Sequence, residues 1–221
     1  MTLTNDRTDS SDFIATLDLP RVPQQARSRQ KRDALLAAAA RLFAERGYEA
    51  TTADDIAAAA EVSVGTFYSY FRNKRQVFLT LFAASVESFL SLRITEVDFV
   101  SNPRQAIRET VERSMQRDPL FHGLRRACQE LTPRDPEVAS YQEKMNRLVY
   151  DQILTAARKV AAGGLIRPDI NLEDTCWFIT LLLDQCWQTE PRSGDAADEE
   201  IKRRRDSLAD LIYYALVRER E

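Results

Sequence analysis

The sequence contains a single histidine, His122, and only three cysteines, Cys128, Cys176 and Cys186. A lone histidine gives no Ser/His/Asp or Cys/His partnership of the kind that common hydrolases use. An odd number of cysteines without CxxC spacing argues against a disulfide framework and against a zinc site. No P-loop, GxGxxG or GxSxG motif occurs. We therefore expect a protein that is not an enzyme and that holds neither a metal nor a cofactor.

Glycine and proline are also scarce, with 6 and 8 residues among 221, whereas alanine, leucine, arginine and glutamate dominate. This composition favours helix over strand. No apolar run approaches the roughly 20 residues that a membrane span needs. The chain does not open on a basic head followed by an apolar stretch, so no secretory signal is visible. We expect a cytoplasmic protein that does not engage a membrane.

The net charge of −3 is unevenly distributed along the chain. Residues 1–20 carry a net −3, residues 21–75 a net +4 and residues 76–221 a net −4. A basic segment inside an acidic chain is typical of a local surface that attracts phosphate groups. Taken alone, however, this charge pattern is explained more simply as an ordinary solvated surface.

The basic segment has the pattern of three helices, two of them short. The first helix begins near residue 28 and ends at Gly47, which suits a left-handed C-terminal cap. Thr52 and Asp55 have the spacing of a capping box at the start of the second helix. Ser63 is a favourable N-cap for a third helix that runs to Phe71. Two short helices joined by a turn of about three residues are the signature of a helix-turn-helix.

Five segments of this region follow a known order: residues 42–48 (LFAERGY), 51–52 (TT), 55–57 (DIA), 62–71 (VSVGTFYSYF) and 73–74 (NK). In these segments, within residues 28–78, the chain resembles the TetR family of bacterial transcriptional regulators. The resemblance implies an all-α homodimer with a three-helix N-terminal DNA-binding domain and a C-terminal domain for effector binding and dimerisation. The chain departs from the family at Glu61, where glycine is usual, and at Val64, where many members have Lys or Arg.

These patterns divide the chain into three parts. We expect a flexible polar tail over residues 1–22, a helix-turn-helix domain over residues 23–75, and an effector-binding and dimerisation domain over residues 76–221. The tail is predicted from its Ser, Thr and Asp content and its lack of apolar periodicity.

The candidate DNA-binding residues bring donors, methyl groups or positive charge to one surface. Gly65 lets the backbone approach the DNA closely, and Val64 can touch thymine methyl groups. Lys74 lies in the first turn of the next helix, whose free amides suit a phosphate. Arg27 and Arg29 are interpreted as an arm on the DNA backbone or minor groove, although a solvated charge explains each equally well. The full set is Arg27, Arg29, Thr52, Ser63, Val64, Gly65, Thr66, Tyr68, Ser69, Tyr70 and Lys74.

Two further sets belong to the C-terminal part. The helix predicted over residues 172–189 is apolar nearly all round, so it needs a partner inside and one outside the subunit. With the last helix it is expected to form a homodimer interface that includes Leu182, Trp187, Leu208, Leu211, Ile212 and Ala215; the alternative is an internal helix of a monomer. Aromatic residues and methionines predict an adaptable apolar effector pocket, although each alone is better explained as core. These are Phe89, Met115, Phe121, Tyr141, Met145, Trp177 and Phe178.

The favoured function is a ligand-responsive transcriptional regulator. We expect a repressor that binds a palindromic operator in double-stranded DNA as a homodimer and that a small, largely apolar effector releases. Two alternatives remain open at the level of sequence: an all-α enzyme or small-molecule carrier, and an architectural DNA-binding protein without a ligand. The run 65–68, whose residues are expected to face a DNA groove, favours the regulator over the enzyme or carrier. The large apolar C-terminal part separates it from the architectural protein.

Overall fold

The computed structural model describes residues 14–115, 119–188 and 195–218. Within these ranges the protein is all-helical, apart from a 3₁₀ turn at Ile94–Glu96 and a single bridge between Ile166 and Val217. This confirms the all-α fold that the resemblance implies. The described helices are α1 (Ala26–Arg46), α2 (Ala53–Ala59), α3 (Val64–Tyr70), α4 (Lys74–Ser91), α5 (Pro103–Ser114), α6 (Pro119–Leu131), α7 (Pro136–Ala162), α8 (Leu172–Gln188) and α9 (Asp195–Leu216).

Contacts divide the chain into two compact units that differ from the predicted domains. The first unit comprises Met1–Ser88 and Arg117–Lys144, and the second comprises Phe89–Gln116 and Met145–Glu221. The first unit gains its second segment because α6 packs against α1. Gly123 in α6 permits this packing, since a Cβ atom there would lie 1.9 Å from the carbonyl oxygen of Ala40. The predicted boundary at residue 75 therefore does not coincide with a boundary between the compact units.

The core of the first unit gathers apolar side chains from each of its first four helices. The largest fully buried members are Leu35, Phe43, Ile56, Phe67, Phe71, Val77, Phe78 and Leu81. Helices of seven residues such as α2 and α3 are too short to be stable alone in water. Helices α2 and α3 are therefore stabilised by the burial of Ile56 and Phe67. Each of these buried side chains contributes roughly 1.5–3 kcal/mol to the stability of the folded protein.

Part of the predicted N-terminal tail packs against the first unit. Leu17 is buried, and Asp18 forms an ion pair with Arg72, which follows the end of α3. Residues 14–20 are thus held against the first unit, contrary to the expectation of a free segment through residue 22. The tail predicted over residues 1–13 lies outside the described residues.

Helix α4 is the most apolar helix of the first unit. Residues 74–96 contain an 18-residue window with a mean hydropathy of 1.6, so by length and composition they match a membrane span, which was not expected from the sequence. Their 18-residue apolar window is 56% buried inside the protein. Val77, Phe78 and Phe82 contribute to the core, as in the central helix of a water-soluble protein.

The second unit is built around α5, α8 and α9. Helix α9 packs against α5 and also contacts α8. Arg104 and Arg108 of α5 form ion pairs with Asp210 of α9 at 3.1 and 3.2 Å. Helix α7 ends at Ala162, shortly before Gly164, which adopts a left-handed backbone with φ +71° and has open space around it.

Candidate DNA-binding surface

The helix-turn-helix begins with a complete capping box at α2. The Thr52 hydroxyl accepts the Asp55 amide proton at 3.1 Å, and the Asp55 carboxylate accepts the Thr52 amide proton at 2.9 Å. The Thr52 hydroxyl also donates to this carboxylate at 2.6 Å and lowers the pKa of the Asp55 carboxyl. The Thr52 hydroxyl therefore caps α2 in the free protein, and a DNA contact by Thr52 stays a prediction.

A Schellman motif ends α2 and sets the angle of the turn. The Val62 amide donates to the carbonyl of Ala57 at 3.0 Å, and the Glu61 amide donates to that of Ala58 at 3.1 Å. Glu61 occupies the left-handed position of this motif, with φ 56°. Glycine is preferred at such a position because it has no Cβ to clash. This backbone gives a physical reason why glycine is usual at the position, and Glu61 occupies it at a conformational cost.

Hydroxyl groups stabilise α3 from within. The Ser63 hydroxyl accepts the Thr66 amide proton at 3.1 Å and lies 2.9 Å from the Thr66 hydroxyl. The Ser69 hydroxyl donates to the Thr66 carbonyl at 2.6 Å. These three hydroxyl groups, which are among those predicted to contact DNA, therefore already have partners within α3 or its N-cap.

One face of α3 is buried and the other is open. Phe67 is fully buried, while Tyr68 is 55% exposed and Val64 is 38% exposed. Tyr70 is half-buried. A Cβ atom built on Gly65 would meet only the Ser63 hydroxyl oxygen, at 3.9 Å, so the backbone there faces open space. Val64, Gly65 and Tyr68, together with exposed Ser69, form what we call the open face of α3.

Lys74 has a role that the sequence did not predict. Its ammonium group donates to the carbonyls of Tyr48, Thr51 and Glu49 at 2.8, 2.9 and 3.2 Å, and it lies 4.4 Å from the centroid of the Tyr48 ring. An ammonium has three donors, so these bonds use all of them. In the free protein these bonds hold the Lys74 ammonium at the turn between α1 and α2, and the phosphate contact stays a prediction. Burial raises the pKa of Tyr48 to about 12, so its ring stays neutral beneath the ammonium.

Two residues of α6 also form hydrogen bonds with the end of α1 and with the turn between α1 and α2. The Arg126 guanidinium donates to the carbonyls of Ala44 and Glu45 at 2.8 and 2.9 Å, which satisfies acceptors at the end of α1. Glu130 accepts the Glu49 amide proton at 3.0 Å. A cation at a helix C-terminus also complements the helix dipole. Sequence reasoning missed Arg126 and Glu130, because they lie about 80 positions from their partners.

Arg27, Arg29 and Arg72 are three exposed basic residues of the helix-turn-helix segment. Arg27 and Arg29 lie in the first turn of α1, are exposed, and Arg29 donates to the carbonyl of Gln24 at 2.8 Å. No acidic residue lies in that turn, so its basic residues oppose the helix dipole. Arg72 is also exposed and was not among the predicted contacts; its present partner is Asp18. A nearby DNA phosphate would offset the unfavourable charge of the α1 arginines.

The predicted effector residues fall into two groups, one buried and one exposed. Tyr141 is buried in the first unit, and Phe89, Met115 and Met145 are buried in the second. The Phe121 side chain lies outside the described residues. Trp177 and Phe178 are 40% and 62% exposed, which does not fit the lining of an internal pocket.

Trp177 and Phe178 lie instead on an apolar surface of α8. Leu181 and Leu182 of α8 and Leu211 and Tyr214 of α9 are likewise large, apolar and exposed. We call these six residues the apolar α8/α9 face. Among the predicted interface residues, Leu182 and Leu211 belong to this face. Leu208 and Ile212 are buried, Ala215 is half-buried, and the Trp187 side chain lies outside the described residues.

No cluster of three or more His, Cys, Asp or Glu side chains that could hold a metal occurs among the described residues. None of the three cysteines forms a disulfide. Cys176 is buried, and burial raises the pKa of its thiol to about 11, which keeps the thiol unreactive near neutral pH.

Residues 35–81 match the family model described as bacterial regulatory proteins, tetR family. The chain is 40% identical over 83 residues to the HTH-type transcriptional regulator TcmR of Streptomyces glaucescens, an alignment that covers 37% of each chain. It is 27% identical over 172 residues to the HTH-type transcriptional repressor KstR2 of Mycolicibacterium smegmatis, covering 72% of this chain and 80% of that protein. The alignment with TcmR thus spans little more than a third of that protein, whereas the one with KstR2 spans most of it.

Solved structures show the same fold over most of the chain. The SmeT–triclosan complex superposes with a TM-score of 0.63 at 19% sequence identity, covering 86% of this chain and 92% of that one. This likeness extends from the helix-turn-helix into the C-terminal helices, beyond the residues that the family model matches.

Proposed function

We propose that this chain, in which residues 35–81 match the model of bacterial regulatory proteins of the tetR family, is a member of that family and a cytoplasmic repressor that a small apolar effector releases from a palindromic operator. The observation that carries this proposal is the open face of α3, which presents Val64, Gly65, Tyr68 and Ser69 on a helix anchored by Phe67. A recognition helix in the major groove needs such a slim outer surface on a firmly packed support. Repression is favoured because KstR2 is named a repressor.

Binding as a dimer is supported by the apolar α8/α9 face. Its six side chains form an apolar surface that an isolated subunit leaves in water. A two-fold dimer covers such a face with its own copy, because an isologous interface pairs one patch with itself. The same symmetry gives the operator its palindrome, with half-sites centred about one helical turn apart, roughly 34–36 Å, or more if two dimers bind.

Release by an apolar effector is supported by the interior of the second unit. Phe89, Met115 and Met145 are buried there, and methionine side chains adapt to apolar ligands of different shape. A structural neighbour, SmeT, has been solved with triclosan. By linkage, an effector that weakens operator binding must itself bind less tightly to the operator complex, by the same factor.

Selection of bound fragments from a random duplex library, followed by footprinting, tests the DNA-binding proposal. We expect a palindromic site with two protected half-sites, and a dimer in sedimentation. Enrichment of no sequence, or protection of one unpaired half-site by a monomer, contradicts it.

Effector release is tested by adding apolar compounds, beginning with triclosan, to protein alone and to the operator complex. We expect an active compound to raise the unfolding temperature of the free dimer and to bind the operator complex more weakly. Equal affinity for both states contradicts release by this mechanism.

A further inference from the structure

The recognition helix lacks the side chains that most often identify bases. Residues 62–71 contain no charged residue and neither Asn nor Gln. In the major groove, guanine is typically recognised by Arg or Lys, adenine by Asn or Gln, and cytosine by Asp or Glu. None of these pairings is available to α3, so base recognition here depends on hydroxyl groups and apolar contacts.

The hydroxyl groups are poor candidates for strict discrimination. Ser63 and Thr66 share a hydrogen bond of 2.9 Å, and Ser69 donates its proton to the Thr66 carbonyl at 2.6 Å. A hydroxyl can either donate or accept, so it pairs with several bases. What remains is an apolar contact, and the base feature suited to it is the thymine methyl group, which projects into the major groove.

Val64 is the side chain placed for such a contact. It lies at the first position of α3, and 38% of its surface is exposed in the free protein. Beside it, the space around Gly65 is open, so the backbone can approach the floor of the groove. Tyr68, the other large exposed side chain of the helix, carries a hydroxyl suited to phosphate.

We propose that Val64 is a specificity-determining residue that recognises the methyl group of one thymine in each operator half-site. This inference rests on the proposed function, since it assumes that α3 enters the major groove. It also explains the absence of a basic side chain at residue 64, because a charged group there would displace the apolar contact. The operator is therefore expected to hold an invariant T·A pair opposite Val64 in both half-sites.

The test uses the operator obtained by library selection, in which single thymines are replaced by deoxyuridine. Deoxyuridine pairs with adenine as thymine does and lacks only the methyl group. One buried methyl is expected to change affinity about fourfold per half-site, and about 15-fold when both half-sites are substituted. We expect one such position in each half-site, measured by fluorescence anisotropy at constant salt.

Val64→Ala provides the matching change in the protein. It should bind the thymine operator as weakly as the wild type binds the doubly substituted operator, with no further loss on the deoxyuridine duplex. Val100→Ala is the control, because Val100 is also an exposed valine, 43% exposed, but lies in the second unit. This control should keep the full sensitivity to deoxyuridine. A cytosine placed at the position should bind better when it carries a 5-methyl group.

Two results overturn the inference and leave the proposed function intact. One is an operator in which no thymine is sensitive to loss of its methyl group. The other is a sensitivity that Val64→Ala retains in full, with the variant shown by circular dichroism to be folded. If the wild-type protein enriches no sequence at all, the proposed function fails, and the inference about Val64 fails with it.

Discussion

At the scale of single residues, Glu61 is the position where the helix-turn-helix is strained. Its φ of 56° places a side chain with a Cβ in the left-handed region. For ordinary L-residues this conformation costs roughly 1–2 kcal/mol, and glycine avoids most of that cost. The turn nevertheless forms, because two Schellman hydrogen bonds and the burial of Ile56 and Phe67 fix its geometry.

Glu61→Gly is therefore expected to stabilise the protein by about 1 kcal/mol, as measured by urea denaturation. Glu61→Asn, which tolerates the left-handed region, should give part of that gain. Glu61→Gln removes the charge and keeps the strain, so it should give almost none. Equal stabilisation by all three variants would assign the effect to charge and not to the backbone.

Gly65 allows stability and DNA binding to be separated at one residue. A Cβ there meets open space, and glycine within a helix costs about 0.5–1 kcal/mol relative to alanine. Gly65→Ala should therefore raise the free energy of unfolding by up to that amount. Because the added methyl group lies on the open face, it should weaken operator binding at least tenfold in an anisotropy titration. Unchanged affinity would show that α3 does not approach the DNA along this face.

At the scale of helices and turns, the local elements of the first unit are predictable from the sequence and their connections are not. The capping residues Thr52 and Ser63 mark the starts of α2 and α3, since each acts within its own turn. Arg126 and Glu130 act on a turn about 80 residues away, and no local pattern announces such a pair. The packing of α6 on α1 likewise depends on Gly123, whose importance appears only when Ala40 faces it.

Lys74 is the clearest example of this difference between local sequence patterns and long-range contacts. Its position in the first turn of α4 suggests a phosphate ligand, whereas its three hydrogen bonds tie down the turn between α1 and α2. Lys74→Met should lower the free energy of unfolding by roughly 1.5–3 kcal/mol, because hydrogen bonds to a charged donor are lost. The slope of log affinity for DNA against log salt should stay unchanged.

Arg27→Ala is the contrasting variant for this measurement. Arg27 is exposed in the first turn of α1, and loss of one phosphate contact should reduce the salt slope by about one unit per subunit. Its stability should change little. If Lys74→Met reduced the salt slope as Arg27→Ala does, Lys74 would contact phosphate after exchanging its partners on DNA.

At the scale of the whole molecule, the described residues leave the apolar α8/α9 face exposed. Phe178 is its most exposed member, at 62%. Phe178 was predicted to line the effector pocket. An aromatic residue on an apolar helix has the same sequence pattern whether it faces a ligand or a second subunit. The burial of the neighbouring residues distinguishes a pocket residue from an interface residue. Ile179 and Thr180 are buried, whereas Leu181 and Leu182 are exposed like Phe178.

Phe178→Glu distinguishes these roles. In a two-fold dimer each substitution occurs twice, and burying a Phe side chain contributes about 1.5–3 kcal/mol, so the dimer dissociation constant should rise on the order of 100-fold or more. Sedimentation equilibrium measures this change, and Val100→Glu, an equally drastic change at an exposed valine of the same unit, should leave the dimer intact. The monomeric variant should still fold, since no core contact is removed, and it should bind a single half-site with the affinity of one wild-type subunit. Its affinity for the full operator should then fall steeply, because the second half-site no longer benefits from the tether.

A variant that stays dimeric but loses its response to apolar compounds would instead place Phe178 at the effector site.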